Sequence, residues 1–336
     1  MASIFSPLTK NIGIDLGTST TQVYVEGRGV ILSEPSLVAT DERNQKVVAI
    51  GRNAETLLAR SPEVVKIHRP LVDGVIADYS VTCTLLNYIL SKTVRTVRRM
   101  RVMLGVPAVA SDVEKRAVLE ALFRSGAKEA YLIETGAAAA IGSGLPVFDP
   151  LGNMIAVLSL GGIVVSESLR SGGQKLDAAL KEYLRGTYAI VTDDATVEEM
   201  KVYNGSAVLP LEDRNYYFRG RSLDDGLEKE VSLKSSEIYE VMGRPLLKIL
   251  ELIRQALRET PPELAADIME HGIVLTGGGS LLKGMDQLIS QETGVPVTVA
   301  AEPETAVAKG AGMALRHRET LHSLVQGVQT IYKRRF

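Results

Sequence analysis

Short apolar runs alternate with stretches of helical period along this chain, and that alternation predicts the α/β class. The clearest unit starts at "RVMLGVP" (Arg101 to Pro107), a buried-strand pattern closed by proline. In "SDVEKRAVLEALFRSGA", Ser111 and Glu114 have the S-x-x-E spacing of a capping box. Val113, Ala117, Leu119, Ala121 and Leu122 then predict the apolar face of a helix, and Gly126 stands where it should stop. "AYLIE" closes a βαβ unit, and "GAAAAIGSG" predicts a helix directly after it. Ligands of open α/β sheets gather at the C-terminal strand ends, which puts Glu134 and Thr135 near a potential site.

The second half follows the same logic. "GGIVVSESL" predicts a strand, "GQKLDAALKEYLRGTY" an amphipathic helix and "TVEEMKVYNGSA" a short helix with a glycine stop. "EIYEVMGRPLLKILELIRQALRET" predicts a long helix ended by Pro261 and Pro262. "GIVLTGGGSLLKGMDQLISQETG" predicts strand, three glycines and helix, and "ETAVAKGAGMALRHRE" a glycine-interrupted helix. No low-complexity tract or short-period repeat is present.

Two loops carry candidate chemistry. In "NIGIDLGTSTTQVYV", Asp15, Gly17, Thr18, Ser19 and Thr20 lie between two β-rich stretches. Such a turn can serve only to close a hairpin, or its free N–H groups can converge on a phosphate while Asp15 faces a metal. In "LTGGGSLLKG", Gly277, Gly278 and Gly279 lie between a strand and a helix, where a ligand can approach the backbone at a helix N-terminus. A tight strand–helix turn explains them equally well. Neither loop is a Walker A sequence or a dinucleotide fingerprint.

Bulk properties narrow the classes. The 336 residues suggest two domains, and 38 Lys and Arg against 40 Asp and Glu give no reason to expect nucleic acid as a partner. The single cysteine, Cys83, lies in an apolar helical stretch and reads as a structural thiol of a reducing compartment. "MASIFSPLTK" has no secretory core, and "MIAVLSLGGIVV" is too short to span a bilayer, so a cytoplasmic location is expected.

"IGIDLGTSTTQVYVEGRGVILSEPSLVA" resembles the first phosphate loop of the actin-like ATPases, specifically the bacterial MreB/Mbl cell-shape proteins. "RPLVDGVIADYSVT", "GVPAVASDVEKRAVLEALFRSGAKEAYLIE", "AAAAIGSGLP", "LTGGGSLLKGMDQLISQETGVPV" and "GAGMAL" follow the same pattern in the same order. The resemblance implies an actin-like ATPase fold, two α/β domains around a nucleotide cleft, each with a smaller subdomain. It suggests domain I at 1–145 (subdomain about 33–65), domain II at 146–305 (subdomain about 180–240), and a C-terminal helix at 306–336 returning to domain I. It also implies ATP or ADP with Mg²⁺ as cofactor. Asp15, Gly17, Thr18, Ser19 and Thr20 would hold the phosphates, Asp15 reaching Mg²⁺ through water. Gly277, Gly278 and Gly279 would lie beneath the adenosine, and Glu198 and Lys201 would flank the nucleoside. From residues alone, those last two are as readily an exposed ion pair.

Two departures fall in the catalytic machinery. Thr135 occupies the family's catalytic glutamate position, and a threonine is no carboxylate base near neutral pH. Glu134, one residue away, would face the other side of a strand. The family's second phosphate hairpin, with its D-x-G-G-G-T turn, is missing: "GNMIAVLSLGGIVVSESL" has no Asp or Glu between Asp149 and Glu167. "MIAVLSL" can form only one strand. Both losses weigh on turnover more than on binding.

The expected role is therefore filament formation by self-association, alone or with related actin-like paralogues, at the membrane and with the cell-wall elongation machinery. A nucleotide-insensitive regulatory paralogue is the alternative. An actin-fold ATPase or sugar kinase is disfavoured by the missing turn. Lys92, Arg95, Arg98, Arg99 and Arg101, with Ile4 and Phe5 as a short apolar tip, are the candidate membrane contacts.

Overall fold

The structure is a computed structural model that describes residues 9–60, 65–72, 75–93, 99–107, 110–145, 158–159, 162–163, 165 and 173–317. Two compact units are present: 1–168 with 304–336, and 169–303.

In the first unit, β1 (Thr9–Leu16), β2 (Thr20–Val25) and β3 (Gly29–Pro35) form an antiparallel meander. Next come β4 (Val38–Asp41), β5 (Val47–Ile50), α1 (Arg52–Arg60) and β6 (Val65–His68), with β4 central in a small antiparallel sheet. A short pair, β7 (Leu71–Val72) and β8 (Val75–Ile76), leads into α2 (Tyr79–Thr93). The βαβ unit predicted from the apolar pattern follows as β9 (Arg99–Val106), α3 (Asp112–Arg124) and β10 (Glu129–Glu134), and α4 (Thr135–Gly142) starts without a linker. The main sheet has the order β10-β9-β1-β2-β3, with β9 parallel to both β1 and β10. The C-terminal ends of β1, β9 and β10 therefore share one edge.

Strand alternation sorts this sheet into two faces. Ile12, Ile14, Val102 and Leu104 pack with Leu85, Leu86 and Ile89 of α2 and Val118, Leu119 and Leu122 of α3. Met103 and Ile133 pack on the other side, against α4 and the last described helix, Ala306–Ala314. The capping box at Ser111 and Glu114 is formed, and Gly126 takes φ 98° just past the helix end. Val113 is not part of the apolar face and is 76% exposed. The true stripe runs through Val118, Leu119, Ala121 and Leu122, and Val113 lies well round the helix from it.

"MIAVLSL" contributes β11 (Leu158–Ser159), which pairs antiparallel with β12 (Gly162–Ile163). The strand expected from "GGIVVSESL" is thus described only at its start; the rest, Val165 apart, lies outside the described residues, as does most of 146–172.

The second unit opens with α5 (Gly173–Tyr188), β13 (Ile190–Val191) and α6 (Asp194–Asn204), then the hairpin β14 (Asn215–Ser222) and β15 (Glu228–Lys234). α7 (Ser235–Glu259) continues through Pro245, and α8 starts at Pro262, ending at His271. β16 (Ile273–Leu275) pairs in parallel with β17 (Val297–Val299), with α9 (Met285–Thr293) between them. Among the described residues, no meander flanks this parallel pair, in contrast to the first unit. The core gathers Leu176, Leu180 and Leu184 of α5 with Ile238, Met242 and Leu246 of α7, four residues apart in each helix.

The last helix, α10 (Ala306–Ala314), belongs to the first unit and lies close against α4 and β1. A Cβ on Gly310 would stand 1.7 Å from the Ala138 carbonyl oxygen, and one on Gly142 1.8 Å from that of Ala306. A Cβ on Gly13 of β1 would meet the Ala308 oxygen at 2.0 Å. Gly310→Ala is therefore expected to destabilise the chain by roughly 3 kcal/mol, as overpacking against rigid backbone does. Gly186→Ala in α5, where no atom lies within 4 Å of the new Cβ, should stabilise it by about 0.5–1 kcal/mol. Denaturant titration of both variants checks the contrast; equal effects would show that the α4–α10 contact yields freely.

Candidate functional site

The turn between β1 and β2 is fixed by buried hydroxyls. Gly17 N–H donates to the Thr20 carbonyl at 3.2 Å, and a Cβ on Gly17 would stand 2.5 Å from that oxygen, so the turn closes only with glycine there. Ser36, fully buried between β3 and β4, donates through Oγ to the Gly17 carbonyl at 2.6 Å. The same Oγ lies 2.8 Å from Thr21 Oγ1, and the Ser36 N–H donates to the Ser19 carbonyl at 2.8 Å. With Gly17 and Ser19 carbonyls drawn inward, the exposed rim of the turn is left to Ser19 and Thr20. Neither Ser36 nor Thr21 stood out in the sequence. Their role depends on contacts fifteen or more residues away, which local pattern does not carry.

Asp15 sits at the end of β1, paired in register with Gly105 of β9 and Gln22 of β2. Its side chain shares a sheet face with Gly13, the face that carries α4 and α10. Burial raises the Asp15 carboxyl to about 7. Thr135 is the first residue of α4, with Glu134 as its N-cap. Thr135 Oγ1 lies 3.7 Å from where a Cβ on Gly105 would stand, and Val307 Cγ1 is 2.8 Å from the same point. Gly105 thus leaves room for the Val307 side chain beside Thr135, a third residue that the sequence alone did not single out. Asp15, Gly105 and Thr135 come together at the C-terminal strand edge.

In the second unit, Glu198 and Lys201 lie one turn apart on α6 and are paired at 2.6 Å. Asp177 of α5 approaches the same ammonium at 2.9 Å. Burial pushes the Asp177 carboxyl above its ordinary range, against the pull of Lys201. α6 is capped by Asp193, ends at Gly205, and is then joined to the loop that follows β16. Ala207 N–H donates to the Lys283 carbonyl at 2.7 Å, and Ser206 Oγ donates to that of Val208 at 2.6 Å. Gly277, Gly278 and Gly279 are therefore tied, through this loop, to the helix that carries Glu198 and Lys201.

The three glycines do not lead straight into α9. Gly278–Leu281 is a single 3₁₀ turn, and α9 starts later, at Met285 after Gly284. The cause is Gly277, which takes φ 80° and ψ 166°, a conformation reserved for glycine, and bends the chain away before a helix can form. The N–H of Gly277 and the Thr276 hydroxyl both donate to the Pro303 carbonyl, at 2.7 and 2.8 Å, which holds the bend. A helix-dipole contribution at these glycines is accordingly small. What they offer is open backbone, because no protein atom lies within 4 Å of a Cβ built on Gly277 or Gly279.

The basic stretch is partly committed elsewhere. Lys92 pairs with Glu34 at 3.3 Å and lies over the Tyr88 ring, and Arg101 pairs with Glu129 at 2.9 Å. Arg95, Arg98, Ile4 and Phe5 lie outside the described residues, as does the Arg99 side chain. Cys83 is a half-buried free thiol on α2. Among the described residues there is no cluster of His, Cys, Asp and Glu fit to hold a metal ion by itself, and no helix long and apolar enough to cross a membrane.

Asp15 yields a pH test. Its folded pKa lies above the unfolded value of 3.8, so the folded state holds a proton that the unfolded state releases. Stability from this group is complete below about pH 4 and is lost as pH rises to about 7. Asp15→Asn, neutral throughout, is expected to raise the melting temperature by a few degrees at pH 8 and hardly at all at pH 4.5. Melting curves of both proteins across that range decide it, and a pH-independent difference would remove the buried carboxylate as its cause.

The MreB/Mbl protein family model matches residues 9–323. The chain is 42% identical over 325 residues to the cell shape-determining protein MreB of Escherichia coli K12, covering 91% of this chain and 93% of that protein. It is 37% identical over 324 residues to the cell shape-determining protein Mbl of Bacillus subtilis, covering 93% and 97%. Among solved structures, MreB5 of Spiroplasma citri bound to ADP superposes with a TM-score of 0.85 at 31% identity, covering 92% of this chain and 96% of that one. A MamK double helical filament shares the fold, with a TM-score of 0.78 at 23% identity and coverage of 92% and 99%. With its sequence matched from β1 to beyond α10 and its fold shared with these structures, the chain belongs to the MreB/Mbl family of bacterial actin-like proteins.

Proposed function

We propose that this chain is a bacterial actin-like cell-shape protein that binds adenine nucleotide, assembles into filaments, and hydrolyses ATP weakly or not at all. The relatives are named cell shape-determining proteins, and the MreB5 structures carry ADP and AMPPNP. The observation that carries the reading is the turn at Gly17, locked by Ser36 beside the half-buried Asp15, with Thr135 rather than a carboxylate at the neighbouring strand end.

The residues present fit a nucleotide with Mg²⁺ in part. Asp15 would take the hydrated cation, whose charge returns the carboxyl to its ionised form. Gly17, Thr18, Ser19 and Thr20 would take phosphate oxygens. Gly277, Gly278 and Gly279 would lie under the adenosine, where the open backbone leaves room for a flat ligand, with Glu198 and Lys201 at the ribose. The second phosphate turn has no counterpart in the sequence. Phosphoryl transfer depends on positioning and on stabilising developing charge, so that loss and Thr135 act on rate before affinity.

Assembly would be with copies of this chain and with related actin-like paralogues, at the cytoplasmic membrane face beside the wall-elongation machinery. A regulatory paralogue that caps or copolymerises with active filaments is the second reading, favoured by the missing turn alone.

Steady-state phosphate release by the purified chain is expected to match a no-protein control, while sedimentation shows polymer. Thr135→Glu alone should leave hydrolysis absent, since only half the phosphate cradle is present. Phosphate release well above control and abolished by Asp15→Ala would overturn the weak-hydrolysis reading, and failure to pellet under any nucleotide would favour the capping paralogue.

Polymer is expected to float with anionic vesicles and unassembled chain to stay in solution, because filaments sum many weak basic contacts. Arg95, Arg98 and Arg99 replaced together by Ser should release it. Equal flotation of the triple variant, or of the parent with neutral vesicles, would reduce the basic stretch to a solvated surface.

A further inference from the structure

The loop that joins β1 to β2 is short, and its usual turn bond is missing. Gly17 N–H donates to the Thr20 carbonyl at 3.2 Å across the two loop residues, Thr18 and Ser19. The reverse bond, from the Thr20 N–H to the Gly17 carbonyl, ordinarily closes such a four-residue turn, and here it is not formed. The Gly17 carbonyl is taken instead by Ser36 Oγ at 2.6 Å. Ser36 has one hydroxyl hydrogen and commits it there, so in its 2.8 Å contact with Thr21 Oγ1 it accepts.

The ladder decides where the Thr20 N–H points. Thr20 faces Pro35 in register, and the bond beside that pair runs from the Ser36 N–H to the Ser19 carbonyl at 2.8 Å. In an antiparallel ladder a pair flanked in this way exchanges no bonds of its own, so the Thr20 N–H is turned away from β3. Among the described residues neither it nor the Ser19 N–H has an acceptor, and both residues are exposed. The carbonyls of Gly17, Ser19 and Thr20, by contrast, all have donors. The rim therefore offers N–H groups and hides its acceptors, which suits an anion.

We infer that Ser36 is a positioning residue for the phosphates: by holding the Gly17 carbonyl away from the Thr20 N–H, it keeps the turn open to an anion. The inference rests on the adenine-nucleotide reading above. Ser36 is fully buried, so it acts through Gly17 and not by touching the ligand. Removing its hydroxyl frees the Gly17 carbonyl to accept from Thr20, and the turn closes on itself. One internal hydrogen bond then replaces another, so anion binding falls while the fold changes little. A nucleoside without phosphates does not feel the change.

The test titrates the full-length chain with ATP and Mg²⁺, and with adenosine, by calorimetry, for the parent and Ser36→Ala. Amide exchange at Ser19 and Thr20 is followed by NMR with and without each ligand. The parent is expected to bind ATP more tightly than adenosine, and both amides should exchange fast until ATP, but not adenosine, slows them. Ser36→Ala should lower ATP affinity about tenfold, the scale of one hydrogen bond to a charged group, and leave adenosine within about twofold. Its Thr20 amide should exchange slowly before any nucleotide is added, because it has gained an acceptor. A merely structural Ser36 would instead weaken both ligands together and leave Thr20 exchanging fast. Either result, or an unchanged ratio of the two affinities, overturns the proposal and leaves the nucleotide reading standing. Slow exchange at Thr20 in the free parent, or no slowing by bound ATP, overturns it as well and needs no folded variant. A parent that binds neither ligand overturns both readings.

Discussion

The first unit depends on backbone meeting backbone without side chains between. Gly142 and Gly310 let α4 and α10 approach until a carbonyl oxygen of each stands where the other's Cβ would be, and Gly13 lets α10 settle on β1 in the same way. Gly312 completes the contact, because a Cβ there would collide with the Tyr24 ring of β2 at 2.2 Å. Four glycines in three elements thus set the distance between a helix that starts at Thr135 and a strand that ends at Leu16, next to Asp15. Both elements are rigid over these lengths, so their ends are as well placed as their middles. At the far end of the helix the same packing is closed by charge, since Arg316 pairs with Glu26, which also accepts from Asn11 of β1 at 2.6 Å. The candidate phosphate turn stands on this frame and is itself locked from the other side by Ser36.

The second unit has no equivalent frame among its described residues. Its parallel pair, β16–β17, lacks the flanking meander that in the first unit supplies both Asp15 and the turn. Precision there comes from hydrogen bonds, Thr276 and Gly277 to Pro303 and Ala207 to Lys283, together with close glycine contacts such as Gly272 on the Pro296 carbonyl and Gly284 on Val208. Such bonds fix a loop locally, and they suit a surface that lies along a ligand better than one that must grip a transferring phosphoryl group.

Local signals were legible and distant ones were not. Ser111 with Glu114, Gly126 and Gly205 announce helix ends within a few residues, and each does so in the structure. The alternation in β9 and β10 is likewise a property of neighbours, and it sets which face packs on which helix. Ser36, Gly105 and Asp177 could not be read this way, because each matters through a partner far along the chain: Gly17, Thr135 and Lys201. Val113 was misread because one apolar residue at roughly helical spacing does not reveal where the buried stripe begins. The triple glycine was read as a helix start, but a positive φ at Gly277 is invisible in a sequence that permits either conformation.

In the proposed function, binding and turnover are separable because they would draw on different groups. Holding a phosphate needs donors and a countercharge; in the proposed site the turn after Gly17 would offer the former, and the cation that Asp15 would hold the latter. Cleaving it needs, in addition, a base that orients water and donors that follow the charge as it moves. Position 135 is held by the α4–α10 packing whatever its side chain, so a carboxylate placed there would reach the proper end of the sheet. It would still face a cradle built from one side. Under the proposed function, turnover would need the missing turn first and the carboxylate second, since a base aimed at an unsupported phosphate lowers no barrier that depends on positioning.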